Sequence, residues 1–132
     1  VFLKVRFDET FHLGYEDTLF GMQLEQAGVE ILHIDNPVYH LVEENSEQFL
    51  MKIRRAVRNL DGHIEQMHSH VKLLRWYACV KRLGMAPLVP SLFRQIEKRL
   101  VSNLTSRKPS LKLFAFYKLG YLCNFLSQKK PN

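Results

Sequence analysis

Cysteine is scarce in this chain, and its scarcity excludes several classes of protein. The sequence has 132 residues and only two cysteines, Cys79 and Cys123. Their separation matches no zinc or redox motif, and one distant pair does not make a disulfide framework. We therefore expect free thiols in a reducing compartment.

Residues 1–132 show no internal repeat and no low-complexity segment, and their first stretch does not have the pattern of a leader sequence. The chain begins at Val1 inside an apolar stretch, without the charged region and cleavable apolar run of a signal peptide. We therefore expect no secretion signal and interpret the chain as a fragment of a longer protein. Its 46% hydrophobic and 24% charged residues fit one soluble globular domain rather than a disordered or fibrous chain.

No apolar run is long enough to predict a transmembrane helix. The most apolar stretch, "LKLFAFYKLGYLCNFL" at 111–126, is shorter than the roughly 18 residues of a spanning candidate. Lys112, Lys118 and Asn124 do not gather on one of its faces. We expect a packed or interfacial helix there.

Basic residues are scarce in the first part of the chain, and acidic residues are scarce in the rest. Residues 1–50 hold only Lys4 and Arg6 against ten Asp and Glu, whereas residues 51–132 hold seventeen Lys and Arg against three acids. A basic region attracts phosphate-rich partners, and clustered carboxylates suit metal, sugar-hydroxyl or proton chemistry. The two parts are therefore expected to have different electrostatic roles.

Residue patterns divide the chain at about residue 45. The first part, 1–45, has β-forming runs at 1–7, 29–34 and 38–42, and a short helix that starts at Asp17 and closes at Gly28. The second part, 46–132, is predicted to be helical and to start with Ser46 as a cap. Its expected helices span about 46–60, 64–83, 91–105 and 110–127.

The segment "FDETFHLGYEDTLFGMQLEQAGVEILHIDNPVYH" resembles a known family of enzymes. It contains "FDE.F" at 7–11, "GYED" at 14–17, a helix that closes with "AG" at 27–28, and a strand pair that ends in His40. In this combination it is similar to the C-terminal portion of the catalytic domain of family 2 glycosyltransferases. The resemblance implies an α/β fragment of the GT-A nucleotide-sugar transferase fold over residues 1–45, followed by a mostly α-helical region.

The resemblance also implies roles for five residues. Inverting sugar transfer needs a base that takes the proton of the acceptor hydroxyl, and Asp17 matches the family's catalytic base. Glu16 would then hold hydroxyls of the acceptor or donor, Gly14 would let the backbone approach the sugar, and Tyr15 would offer an aromatic face. His40 matches a position where related enzymes place a metal ligand, which implies Mn²⁺ or Mg²⁺ on the diphosphate.

The expected partners follow from the same resemblance. They are a nucleotide-sugar donor and a sugar or lipid-linked acceptor, in the assembly of a cell-surface polysaccharide or glycolipid. The donor-binding half, with its paired aspartates, would precede Val1, so we expect the fragment alone to be inactive. The expected location is the cytoplasm, with peripheral contact at the inner face of the cell membrane as one option.

Each of these residues also has a purely structural interpretation. Glu16 and Asp17 suit any helix start, where carboxylates interact favourably with the unpaired backbone N–H groups and the helix dipole. A lone histidine after an apolar run, such as His40, is usually a core or surface residue. His63, His68 and His70 have no Cys or carboxylate partner at metal-ligand spacing, so metal binding there is not expected.

The basic helices leave several alternatives open. Their charge suits solvated helix faces, an anionic membrane surface, a nucleic acid or a protein partner. The sequence has no recognised nucleic-acid-binding motif, and its acidic first third would repel a phosphate backbone. A non-catalytic basic helical module is therefore the alternative to an enzyme, with nucleic acid its least favoured partner.

Overall fold

Helices account for all the regular secondary structure in this chain as far as it is described. The computed structural model describes residues 5–9, 11, 14–39, 41 and 44–129. Within these ranges there are six helices and no β-strand. The helices are α1 (Glu16–Gln26), α2 (Ser46–Asn59), α3 (Ile64–Met67), α4 (Lys72–Arg82), α5 (Leu88–Leu104) and α6 (Leu111–Lys129).

The α/β GT-A fragment predicted for residues 1–45 is therefore wrong. Residues 29–39 have no regular structure, and most of their apolar side chains face solvent, including Leu32 at 84% and Val38 at 82% exposure. A β-strand needs a neighbour for its backbone hydrogen bonds, and no other described segment lies beside this one as a strand. The runs at 1–7 and 38–42 fall partly on residues outside the described ranges.

The short helix predicted from Asp17 is confirmed as α1. Its end has the paired hydrogen bonds of a Schellman motif: Gly28 N–H donates to the carbonyl of Glu25, and Val29 N–H donates to that of Leu24, each at 3.0 Å. Gly28 has φ +65°, the left-handed conformation that glycine adopts without steric cost. The "AG" signal thus ends the helix where the sequence indicated.

Helix α2 begins with a capping box one residue before the predicted cap. Asn45 Oδ1 accepts from the backbone N–H of Gln48 at 2.9 Å, and Gln48 Oε1 accepts from the backbone N–H of Asn45 at 3.0 Å. The reciprocal pair satisfies two of the N–H groups that a helix start leaves without partners. Asn45, rather than Ser46, is therefore the N-cap.

The helix predicted over 64–83 is broken into α3 and α4. Val71, at the break, has an extended backbone (φ −99°, ψ 109°) and a buried side chain. In the turn before it, His68 Nδ1 lies 3.0 Å from the carbonyl oxygen of Glu65, and Ser69 Oγ lies 2.8 Å from His70 Nδ1. Side chains that bond locally compete with helix continuation, and this competition explains the break.

Prolines lie at the start of α5, where a helix tolerates them. Pro87 is the N-cap and Pro90 is in the first turn, so their missing N–H groups cost no internal hydrogen bond. Helix α6 starts after Ser110, whose backbone N–H donates to Asn103 Oδ1 at 3.1 Å. This contact closes the connection between α5 and α6.

Helix α6 is the centre of the core and packs against α2, α4 and α5. Its buried residues include Tyr117, Tyr121 and Leu122, and Phe93 of α5 lies against both tyrosine rings. At Gly120 a Cβ atom would lie 2.4 Å from Cδ2 of Phe93, so the absent side chain lets α5 approach closely. The expectation of a packed helix here is confirmed. Among the described helices, none has the length and apolarity to cross a membrane.

Candidate functional site

A sharp turn leads into the two carboxylates at the start of α1. Gly14 and Tyr15 both have positive φ, +76° and +70°. The left-handed conformation costs a residue with a Cβ atom roughly 1–2 kcal/mol, so the turn at Tyr15 is strained. A Cβ on Gly14 would lie 2.4 Å from Cβ of Ala56, which shows that the turn is pressed against α2.

The two carboxylates of this turn differ in their surroundings. Asp17 is exposed, and its Oδ1 accepts from the backbone N–H of Thr18 at 2.7 Å. Glu16 is partly buried, and its Oε2 has no accessible surface and no hydrogen-bond partner among the described residues. An unpaired buried carboxylate oxygen is costly, so it calls for an explanation beyond helix capping.

Tyr15 is held mainly by the core. It packs against the hydrophobic cluster, and burial raises the pKa of its hydroxyl above the usual value. Its backbone carbonyl accepts from the N–H of Leu19 at 2.9 Å, which is the first hydrogen bond of α1. Tyr15 therefore fixes the direction in which α1 leaves the turn.

Of the predicted residues, Gly14 and Tyr15 form the turn and Glu16 and Asp17 begin α1, whereas the fifth, His40, lies outside the described residues. The described part of the chain contains no group of three or more His, Cys, Asp or Glu side chains that could hold a metal ion. Hard cations such as Mg²⁺ need several oxygen ligands. The described residues alone do not fit a resident Mn²⁺ or Mg²⁺, so we derive no step through a metal.

The histidines of α3 and the following turn each have a separate partner. His63 lies against the ring of Phe11, with ring centres 4.7 Å apart, and His70 Nε2 lies 3.3 Å from Oε2 of Glu25. His68 contacts a backbone carbonyl of its own turn. The three histidines therefore have different contacts rather than one shared partner.

Two arginines of α2 and two tyrosines of α6 form a ladder of hydrogen bonds that the sequence did not predict. Arg54 Nε donates to the hydroxyl of Tyr117 at 2.5 Å, and Arg58 Nε donates to that of Tyr121 at 2.6 Å. Arg54 also pairs with Glu97 of α5 at 3.0 Å. The spacing of four residues on both helices was the only local signal, and it does not reveal which residues pair.

The sequence also did not predict a cleft that lies between α4 and α6. Leu73 and Trp76 of α4 and Phe116 and Leu119 of α6 form apolar walls around a volume of about 360 Å³. Ala115 and the lysines at 72 and 118 complete the lining. The cleft is therefore apolar inside and carries two amines.

Comparison with known proteins gives no relative for this chain. A scan against protein-family models, a search of curated proteins and a search of solved structures found no match. The resemblance of residues 7–40 to family 2 glycosyltransferases therefore stays an interpretation of the sequence.

Proposed function

We propose that this chain belongs to an inverting glycosyltransferase and contributes the part that activates the acceptor. The parent protein would move a sugar from a nucleotide-sugar donor to a hydroxyl of a sugar or lipid-linked acceptor, in the assembly of a cell-surface polysaccharide or glycolipid. The observation that carries the proposal is the strained Gly14–Tyr15 turn, which presents Asp17 to solvent at the start of α1.

The two carboxylates after the turn differ in exposure: Asp17 faces solvent, whereas one carboxylate oxygen of Glu16 is buried. Asp17 is exposed, as a base must be to meet an acceptor. The acceptor oxygen attacks the anomeric carbon, the bond from that carbon to the nucleotide phosphate breaks, and Asp17 takes the hydroxyl proton. The nucleoside diphosphate leaves with the bonding electrons.

Strain at Tyr15 favours this interpretation over a simple helix cap. A helix start needs only a side chain such as Asn45, which caps α2 without a left-handed residue. Strained non-glycine residues cluster at functional sites because the surrounding structure must hold them in place. Here the close contact of Gly14 with Ala56 supplies that support.

The rest of the reaction belongs to the parent protein. Residues that precede Val1 there would bind the nucleotide and its diphosphate, so we expect the chain alone to be inactive. Mn²⁺ or Mg²⁺ would be held mainly by those residues, with His40 as a further ligand. We place the enzyme in the cytoplasm, in peripheral contact with the inner face of the cell membrane.

The experiment compares two carboxylates at helix starts in the parent protein. Asp17→Asn should lower nucleoside diphosphate release, measured over a panel of donors and acceptors, by about 10²- to 10⁴-fold and leave donor affinity unchanged. Glu47→Gln is the matched control, because Glu47 is an exposed acid in the first turn of α2. Near-normal turnover of Asp17→Asn, or an equal loss in Glu47→Gln, would overturn the assignment.

A further inference from the structure

The region from the end of α3 to the middle of α5 is basic without interruption. Residues 66–96 contain five Lys and Arg and no Asp or Glu. Four of the five basic residues, namely Lys72, Arg75, Lys81 and Arg82, lie on α4 and are exposed. The nearest acids along the chain, Glu65 and Glu97, flank this region. Such a surface attracts an anionic partner.

Large apolar side chains are exposed in the same region, where α4 meets α5. We call this surface the α4–α5 corner; its exposed apolar residues are Trp76 (56%), Leu83 (61%), Met85 (42%), Leu88 (68%) and Leu92 (49%). Trp76 and Leu83 are seven residues apart, and Leu88 and Leu92 are four apart, so each pair lies along one side of its helix. Five large apolar residues exposed within one stretch of 17 residues favour an interaction surface there.

The cleft between α4 and α6 continues this surface inward. Trp76 belongs both to the corner and to the cleft wall, opposite Phe116 and Leu119 of α6. Lys118 lines the cleft, its Nζ lies 4.6 Å from the centre of the Phe114 ring, and burial lowers the pKa of its ammonium group. A negative group beside Lys118 would offset the cost of burying its positive charge.

We propose that the α4–α5 corner binds an anionic phospholipid bilayer and that the cleft receives the acyl chain of one lipid, whose phosphate lies between Lys72 and Lys118. Basic residues beside exposed Trp and Leu are the composition that places a helix in the membrane interface. A nucleic acid would meet the same charge but would leave the aliphatic residues of the corner unused. The corner is built from helices other than α1, so this proposal stands without the transferase activity.

Trp76 is the single tryptophan of the chain, so its fluorescence reports on the corner alone. The protein is mixed with phosphatidylcholine vesicles that contain or lack phosphatidylglycerol. We expect sedimentation with the anionic vesicles, a blue shift of Trp76 emission, and loss of both at high salt. Equal binding to neutral vesicles, or binding without a shift, would overturn the proposal.

Two matched variants test the position of the charge. Lys81→Glu with Arg82→Glu should weaken vesicle binding about tenfold or more, because each basic residue near the surface contributes to attraction. Lys98→Glu with Arg99→Glu makes the same charge change on exposed residues of α5 beyond the corner and should have a much smaller effect. Equal losses would show that net charge alone drives binding and would refute the corner.

The cleft is tested with lipids brominated along the acyl chain. They should quench Trp76, and Ala115→Phe, which fills the cleft from its exposed edge, should reduce that quenching without preventing sedimentation. Unchanged quenching in Ala115→Phe would show that no acyl chain enters the cleft. Inorganic phosphate and a short DNA duplex are the soluble competitors; tight binding of either one without any binding to vesicles would overturn the assignment to a bilayer.

Discussion

The Nε atom of Arg58 lies 2.6 Å from the hydroxyl oxygen of Tyr121 and donates a hydrogen bond to it. One turn earlier on both helices, Arg54 donates to Tyr117. Because residue numbers increase in the same direction along both helices, α2 and α6 run parallel at this contact. The guanidinium groups also lie over the aromatic faces, with Arg54 Cζ 5.6 Å from the centre of the Tyr121 ring. The ladder therefore fixes both the direction and the register of α2 on the central helix.

The ladder predicts a stability cost for removing one hydroxyl. Tyr117→Phe removes the hydrogen-bond acceptor of Arg54 Nε on α6, and hydrogen bonds to charged groups contribute about 1.5–3 kcal/mol. The Arg54 side chain is 36% exposed and keeps Glu97, so we expect the lower end of that range. Urea unfolding measures the loss. Tyr39→Phe, at a fully exposed tyrosine, is the control and should change nothing; equal effects of the two variants would contradict the ladder.

Two glycines in helices should respond to alanine with opposite signs. Gly120→Ala places a Cβ 2.4 Å from Cδ2 of Phe93, whose side chain is fully buried and has no room to move. Overpacking of about 1–3 kcal/mol should exceed the gain in helix propensity of about 1 kcal/mol. Gly21→Ala meets no atom within 4 Å and should stabilise α1 by about 0.5–1 kcal/mol. The melting temperatures of the two variants check these signs, and stabilisation by Gly120→Ala would contradict the close approach of α5.

The two thiols should differ in reactivity. Cys79 is exposed, whereas Cys123 is buried, and burial raises the pKa of its thiol to about 11. A raised pKa keeps a thiol in its neutral, unreactive form, so Cys123 of the native protein should resist alkylation at pH 8. It should react only when the pH approaches its pKa of about 11 or when the protein unfolds. Mass spectrometry of the native protein after iodoacetamide treatment should show one modification, at Cys79. In urea it should show two, and rapid labelling of Cys123 in the native protein would refute its burial.

Local signals in the sequence account for most helix ends, whereas the missed features depend on how particular side chains bond and pack. The close of α1 at Gly28 and the helices after residue 45 were predictable, because caps, prolines and apolar spacing act within a few residues. The break at Val71 was not, since it depends on side-chain bonds within the turn and on burial of one valine. The strand predicted at 29–34 is absent for a related reason: β-forming residues specify a tendency, but a strand exists only beside a partner.

At the candidate site, too, the sequence indicates local features but not the contact with a distant helix. "GYED" predicted that Gly14 to Asp17 act together; these residues form the turn and the start of α1, and their shared role stays a prediction. The sequence did not predict that Tyr15 takes a left-handed conformation or that Ala56 lies behind the turn, because that contact joins positions 42 residues apart. Glycine at position 14 suggested close approach to a sugar, whereas the structure places Gly14 against α2.

That contact gives a prediction for the turn which supports Asp17. Gly14→Ala adds both the left-handed cost of roughly 1–2 kcal/mol and a clash with Ala56 of about 1–3 kcal/mol, so it should destabilise the protein by about 2–5 kcal/mol. Gly28→Ala is the matched control, because Gly28 also has positive φ but nothing lies within 4 Å of its Cβ position. Gly28→Ala should destabilise the protein only by the left-handed backbone cost of roughly 1–2 kcal/mol.

A double-mutant cycle separates the two costs. In an Ala56→Gly background the 2.4 Å contact is absent and the Cα of residue 56 stays 3.2 Å away, so Gly14→Ala should cost only a little more than Gly28→Ala does in the original protein. Urea unfolding of the four proteins gives the coupling energy between positions 14 and 56. A coupling near zero would mean that α2 does not support the turn, and the strain at Tyr15 would then need another source of support before Asp17 could be held in place.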